Sequence, residues 1–148
     1  MPVRMPAARV SSRPVRAARR ADSLAHMRSA VIGVVLDVCA VLAFVAIGRH
    51  THHDGDTLAG VAYTAGPFLG GLAIGLLAVR AWRRPLALVP TGLGAWLGAA
   101  AVGMVIRVLA GQGTAAAFIV VALAFLGLFI LGWRIVVRIV ATRLNAVH

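Results

Sequence analysis

Four long apolar runs, separated by short polar links that carry arginine, set the pattern of the chain. The first, residues 29–48, reads SAVIGVVLDVCAVLAFVAIG. At about 1.5 Å per residue a helix of that length covers the roughly 30 Å of bilayer hydrocarbon. Its one charged residue is Asp37. Residues 59–79, 86–106 and 115–133 repeat the length and the apolar character, so the pattern predicts four membrane-spanning helices. The fold class expected is an all-α integral membrane protein, a compact bundle of four transmembrane helices spanning residues 29–137.

The middle two helices differ from the outer two in their small residues. The second contains Pro67 with Gly66, Gly70, Gly71 and Gly75, and the third contains Pro90 with Gly92, Gly94, Gly98 and Gly103. The pairs Gly66/Gly70, Gly71/Gly75 and Gly94/Gly98 have the small-xxx-small spacing that lets helix backbones approach closely in lipid. Pro67 removes a backbone donor and is expected to bend its helix. The fourth run, rich in Leu, Ile, Val and Phe, looks the most lipid-facing.

Charge then orients the bundle. All 15 basic residues are arginines and the 4 acids are all aspartates. With the N-terminus inside, Arg49 and Arg107 are the two arginines left in the outer links, against thirteen inside. The positive-inside rule therefore places both termini in the cytoplasm, N-in and C-in, and speaks against dual insertion. Of the residues 61% are hydrophobic and 13% charged, about half the charge of a soluble domain. The net charge of +11 flanks apolar runs instead of forming an aromatic-interleaved patch, so nucleic acid is not an expected partner. The expected partners are the lipid bilayer and a second copy or another membrane protein.

Residues 1–28, with seven arginines, Asp22 and no apolar period, read as a disordered basic cytoplasmic tail. The apolar run that follows is too long for a signal-peptide h-region and ends in Gly48-Arg49, so an uncleaved anchor fits better. Arg19-Arg20 matches a twin-arginine export signal poorly. Met27-Arg28-Ser29 is a second natural start. Residues 138–148 read as a short amphipathic cytoplasmic tail. The link Arg107–Thr114 has Gly111-Gln112-Gly113 as its flexible middle, and Trp82 and Trp133 suit the membrane interface. Two outer arginines, Arg49 and Arg107, and two Trp-Arg pairs, at 82–83 and 133–134, hint at two parallel hairpins related by a pseudo-twofold.

Among residues able to do chemistry, Asp37 is the sharpest. An aspartate near mid-helix costs roughly 2.5–3.5 kcal/mol to insert, so it needs polar company. It lies about 10 Å in from the inner boundary, Thr91 about 7 Å, and the long side chain of Arg134 reaches inward from its own boundary. An Asp37–Arg134 clamp is the preferred reading, with proton or ion handling by Asp37 as the alternative. The loop holding His50, His52, His53, Asp54 and Asp56 has the ligand types of Zn²⁺ or Cu²⁺. A flexible loop gives no fixed geometry, however, and a solvated turn with aspartates capping the next helix is preferred to a metal site. Cys39, the single cysteine, reads as a small buried hydrophobe, and Trp96 as packing. The helices carry no histidine for haem, and no triad, carboxylate pair or phosphate loop is visible, so neither a cofactor nor enzymatic activity is expected.

Asp37, Phe44, Gly48-Arg49 followed by His52 or His53, Pro67-Phe68, Arg107 and Trp133-Arg134 form a pattern of their own. On these residues the chain, over about 29–137, resembles the bacterial membrane-protein family known as domain of unknown function 3054, common in actinobacteria. The resemblance implies an integral membrane protein and no particular chemistry. Two function classes follow. One is a structural or accessory subunit of the membrane, for which a dry Asp37–Arg134 pair is the mark. The other is a small carrier or channel-like unit with Asp37 as coupling site, marked by a polar cavity reaching that residue.

Overall fold

The computed structural model describes residues 13–51 and 57–146. Four helices dominate: α1 (Arg13–Thr51), α2 (Leu58–Ala78), α3 (Leu88–Leu109) and α4 (Ala116–Asn145). Each contains a segment long and apolar enough to cross a membrane. Each packs on the next, and α4 returns to α1, so the bundle closes as a ring.

Two ends differ from the sequence expectation. Residues 13–28, expected to be disordered, continue α1 as helix, with Arg16, Arg19 and Arg20 exposed. The run Arg16–Ala30 holds no Gly or Pro and is rich in Ala and Arg, both strong helix formers. Helix α4 likewise does not stop at Trp133 but runs on through the expected tail to Asn145, a stretch that holds no Gly or Pro to end it. His26 on the α1 extension hydrogen-bonds through Nε2 to the Trp82 carbonyl oxygen (2.7 Å), tying the extension to the α2–α3 turn.

Thr57, not an aspartate, caps α2: its backbone is extended and its hydroxyl accepts from the Gly60 N–H at 3.2 Å. After α2, Arg80 adopts a left-handed conformation (φ 51°), uncommon for a residue with a side chain, and a 3₁₀ turn at Ala81–Arg83 follows. At the start of α3 the backbone is still extended at Ala87 and Val89, so regular helix begins only at Pro90, later than expected, and a π-turn interrupts it at Gly98–Val102. The helix ends at Leu109, and Gly111 just beyond has a φ of 69°, which favours a residue without Cβ.

The tightest contact is between α2 and α3, and glycine makes it. A Cβ on Gly98 would sit 2.5 Å from the Gly71 carbonyl oxygen and 2.6 Å from the Gly75 Cα; one on Gly75 would strike the Gly94 carbonyl. Gly71 and Gly75 thus face Gly94 and Gly98, backbone against backbone, as their spacing predicts. The third pair does not share this role. Gly66 is exposed with nothing near its Cβ position, and Gly70 has ordinary room beside Ile106, because the Gly66/Gly70 stripe lies off the crossing face. Around the crossing, the small side chains of Ala95, Ala99 and Ala100 fill one wall of a core whose bulk is Phe44, Phe68, Leu72, Leu126 and Ile130.

Candidate functional site

Two polar constellations sit at opposite ends of this bundle. The first is built on α1 and α4. Asp37 lies on the face of α1 that includes Gly33 and Val41, all three buried, while Arg134 is one helical turn beyond the buried Ile130. The two are held side by side, 0% and 1% exposed. Arg134 donates from Nη1 to Oδ1 and from Nη2 to Oδ2, each at 2.7 Å, a bidentate ion pair. Nη1 also donates to the Ile130 carbonyl at 2.9 Å, and the Trp133 indole N–H donates to Oδ1 at 3.0 Å.

Small residues make room for this arrangement. A Cβ on Gly92 of α3 would fall 2.9 Å from Arg134 Cδ, and the Trp133 ring lies over Gly33. Thr91, 1% exposed, lines the same cavity as Asp37, yet its hydroxyl donates to the Arg84 carbonyl (2.7 Å) and holds the α2–α3 turn. A cavity of about 320 Å³ reaches Asp37, Thr91 and Arg134. Ala30, Val34, Leu76, Leu77 and Pro85 make the rest of its wall apolar. Trp133, assigned from sequence to the membrane interface, belongs instead to the carboxylate, while Trp82 is exposed. The two Trp-Arg pairs are therefore not equivalent, one sitting in a 3₁₀ turn and the other in mid-helix. Cys39 is exposed on α1 instead of buried, because the core-facing stripe of that helix runs through Asp37, Ala40, Val41 and Phe44. Trp96 does pack, its N–H donating to the Leu123 carbonyl at 3.0 Å.

The second constellation gathers Arg49, Thr64, Arg107 and Gln112 where α1 ends and α2 begins. Its origin is Pro67. A proline cannot donate to the carbonyl four residues back, which here is Tyr63. The Gln112 side-chain amide donates to that carbonyl instead (3.1 Å), and its oxygen accepts from Arg107 Nη1 at 2.7 Å. Arg107 Nη2 donates to the Gly113 carbonyl at 3.0 Å. The link 107–114, expected to be flexible, is thus pinned on both sides by its glutamine. The guanidinium of Arg107 lies over the rings of Phe118 (4.8 Å) and Phe68 (5.7 Å), and Phe44 packs edge-on against Phe68 at 5.3 Å. Arg49 donates from Nη1 to Thr64 Oγ1 at 3.1 Å, its guanidinium lying where a side chain on Gly60 would be.

Between the end of α1 and the start of α4 this second constellation borders a cavity of about 750 Å³ that also includes Gly48. His50 is exposed at the end of α1; His52, His53 and Asp54 lie outside the described residues, and among the described residues no three potential ligands gather. Gly60, Gly92 and Gln112 are the site residues that sequence reasoning passed over. Gln112 had a signal in retrospect, four residues past Val108 of a helix facing a proline-freed carbonyl, whereas the two glycines acquire meaning only once the arginines are seen to pass over them.

The fold and these sites define an all-helical bundle of four membrane-length helices with a buried ion pair. The sequence model described as "Protein of unknown function (DUF3054)" matches residues 34–137, and the chain belongs to that family. No curated protein and no solved structure matches the chain. The match begins just ahead of Asp37 and ends just after Arg134, so both halves of the ion pair, and both arginines of the second constellation, fall within it.

Proposed function

We infer that the protein is a structural or accessory subunit of the plasma membrane, not an enzyme, with the Asp37–Arg134 pair as an internal clamp. The observation that carries this reading is the satisfied state of Asp37. Both carboxylate oxygens are taken up by Arg134 and Trp133, and the cavity beside them is otherwise apolar. A coupling carboxylate needs a wet route and a spare lone pair aimed along it. The clamp joins the first helix to the last and closes the ring. The outward faces left by that closure, such as Val31, Val35, Val120 and Leu128, are apolar and suit lipid or the helix of a second copy or another membrane protein.

A double-mutant cycle tests the clamp. Asp37→Asn and Arg134→Leu are each expected to destabilise the detergent-solubilised bundle, and the pair together far less than the sum, because coupling energy appears only when two groups interact. Additive losses reject the clamp and return Asp37 to the carrier reading, in which Asp37→Asn folds normally and abolishes pH-driven flux in liposomes.

Orientation is part of the same proposal. The thirteen-to-two arginine distribution supports a cytoplasmic position for both termini. In a Cys39→Ser background, a cysteine at Thr57 should react with an impermeant reagent from outside, and one at Ala146 only after permeabilisation. The reverse pattern overturns the topology.

A further inference from the structure

We propose that the cavity between the end of α1 and the start of α4 binds an anionic phospholipid, its phosphate on Arg107 and one acyl chain along α4. The argument begins with charge. Arg107 is half-buried, and its two hydrogen-bond acceptors, Gln112 Oε1 and the Gly113 carbonyl, are both neutral. Among the described residues the acids are Asp22, far off on the α1 extension, and Asp37, which Arg134 occupies. A guanidinium has five N–H donors in a fork suited to phosphate, and two of them are used here. Gln112 and the rings of Phe68 and Phe118 hold it in place, so little side-chain freedom remains to be lost on binding. Arg49, engaged with Thr64, adds a second cationic residue to the same wall.

Shape supplies the rest. The cavity, about 750 Å³, is polar at one end, where Arg107, Thr64 and Thr114 lie, and apolar along its length. Ala117, Val121 and Phe125 line it at successive turns of α4, a run of about 12 Å. A small anion would fill the polar end and leave that apolar stripe uncovered. A phospholipid matches both ends, and both bordering helices are long and apolar enough to cross a membrane, so the leaflet itself is the supply. The site is separate from the Asp37 clamp, and its test does not depend on that reading.

The experiment is native mass spectrometry of the full chain in detergent micelles, titrated with dioctanoyl phosphatidylglycerol, dioctanoyl phosphatidylcholine and inorganic phosphate. The phosphatidylglycerol should be retained saturably, at about tenfold lower concentration than the phosphatidylcholine, and inorganic phosphate should not displace it. Arg107→Gln should weaken retention about tenfold or more, while Arg107→Lys keeps part of it. Val121→Trp, at a position 56% exposed and clear of the polar network, should plug the apolar length and lower retention with the fold intact. Equal retention of the two lipids overturns the proposal, as does displacement by inorganic phosphate. Retention unchanged in both Arg107→Gln and Val121→Trp overturns it as well.

Discussion

Arg134 and Arg107 are the same residue in opposite situations. Arg134 is buried with a carboxylate that takes two of its donors, and an indole completes the shell of that carboxylate. Arg107 is held by an amide oxygen and a backbone carbonyl and rests on two phenyl rings. In an apolar medium the first arrangement neutralises its charge internally, and the second fixes a cation in position with no carboxylate beside it among the described residues. The difference teaches that an arginine near a membrane helix end is not explained by topology alone. What it touches decides whether it closes the fold or offers a charge to something else.

The largest expected effect breaks the comparison at its closed end. Asp37→Asn removes one member of a buried pair and leaves a guanidinium with no anion, a change that costs about 3–5 kcal/mol in buried sites. Chemical unfolding in detergent should show a loss of that order. A loss below about 1 kcal/mol would mean that the pair contributes no more than a surface salt bridge.

A smaller effect separates the indole from the ion pair. Trp133→Phe keeps an aromatic ring over Gly33 and deletes one hydrogen bond to Asp37 Oδ1, which should cost about 1–2 kcal/mol. An unfolding midpoint equal to the parent's would show the indole N–H to be idle.

How far these two ends were legible in the sequence differs for a physical reason. The ion pair was legible because an aspartate in an apolar run demands a cation, and Arg134 has a side chain long enough to reach inward from the end of the fourth apolar run. Arg107 could not be read that way. Its partners are a neutral glutamine and a backbone carbonyl, which no charge rule singles out, and Gln112 is recruited only because Pro67 frees the Tyr63 carbonyl across the bundle. The four helices of membrane-crossing length were legible from apolar length, and the Gly71, Gly75, Gly94 and Gly98 crossing from spacing. Spacing alone could not tell that Gly66 faces outward, since a stripe has two sides and only packing chooses between them. The helical continuation of α1 back to Arg13 was hidden by composition, because arginine counts as a tail signal by charge and a helix former by propensity.

The smallest effect sharpens the comparison at its open end. Arg107→Gln removes two hydrogen bonds to neutral acceptors and the contact with two rings, each worth about 0.5–1 kcal/mol in such settings. It also removes a cation that no described carboxylate neutralises, which relieves the desolvation cost of keeping charge out of water. The two contributions oppose one another, so the unfolding free energy in lipid-free detergent should change by less than about 1 kcal/mol, well below the loss expected for Asp37→Asn. Adding an anionic phospholipid should then stabilise the parent and not the variant, because a ligand that binds only the folded state raises its stability. A loss in lipid-free detergent as large as that of Asp37→Asn would show that Arg107 is as structural as Arg134, and the contrast between the two ends of the bundle would collapse.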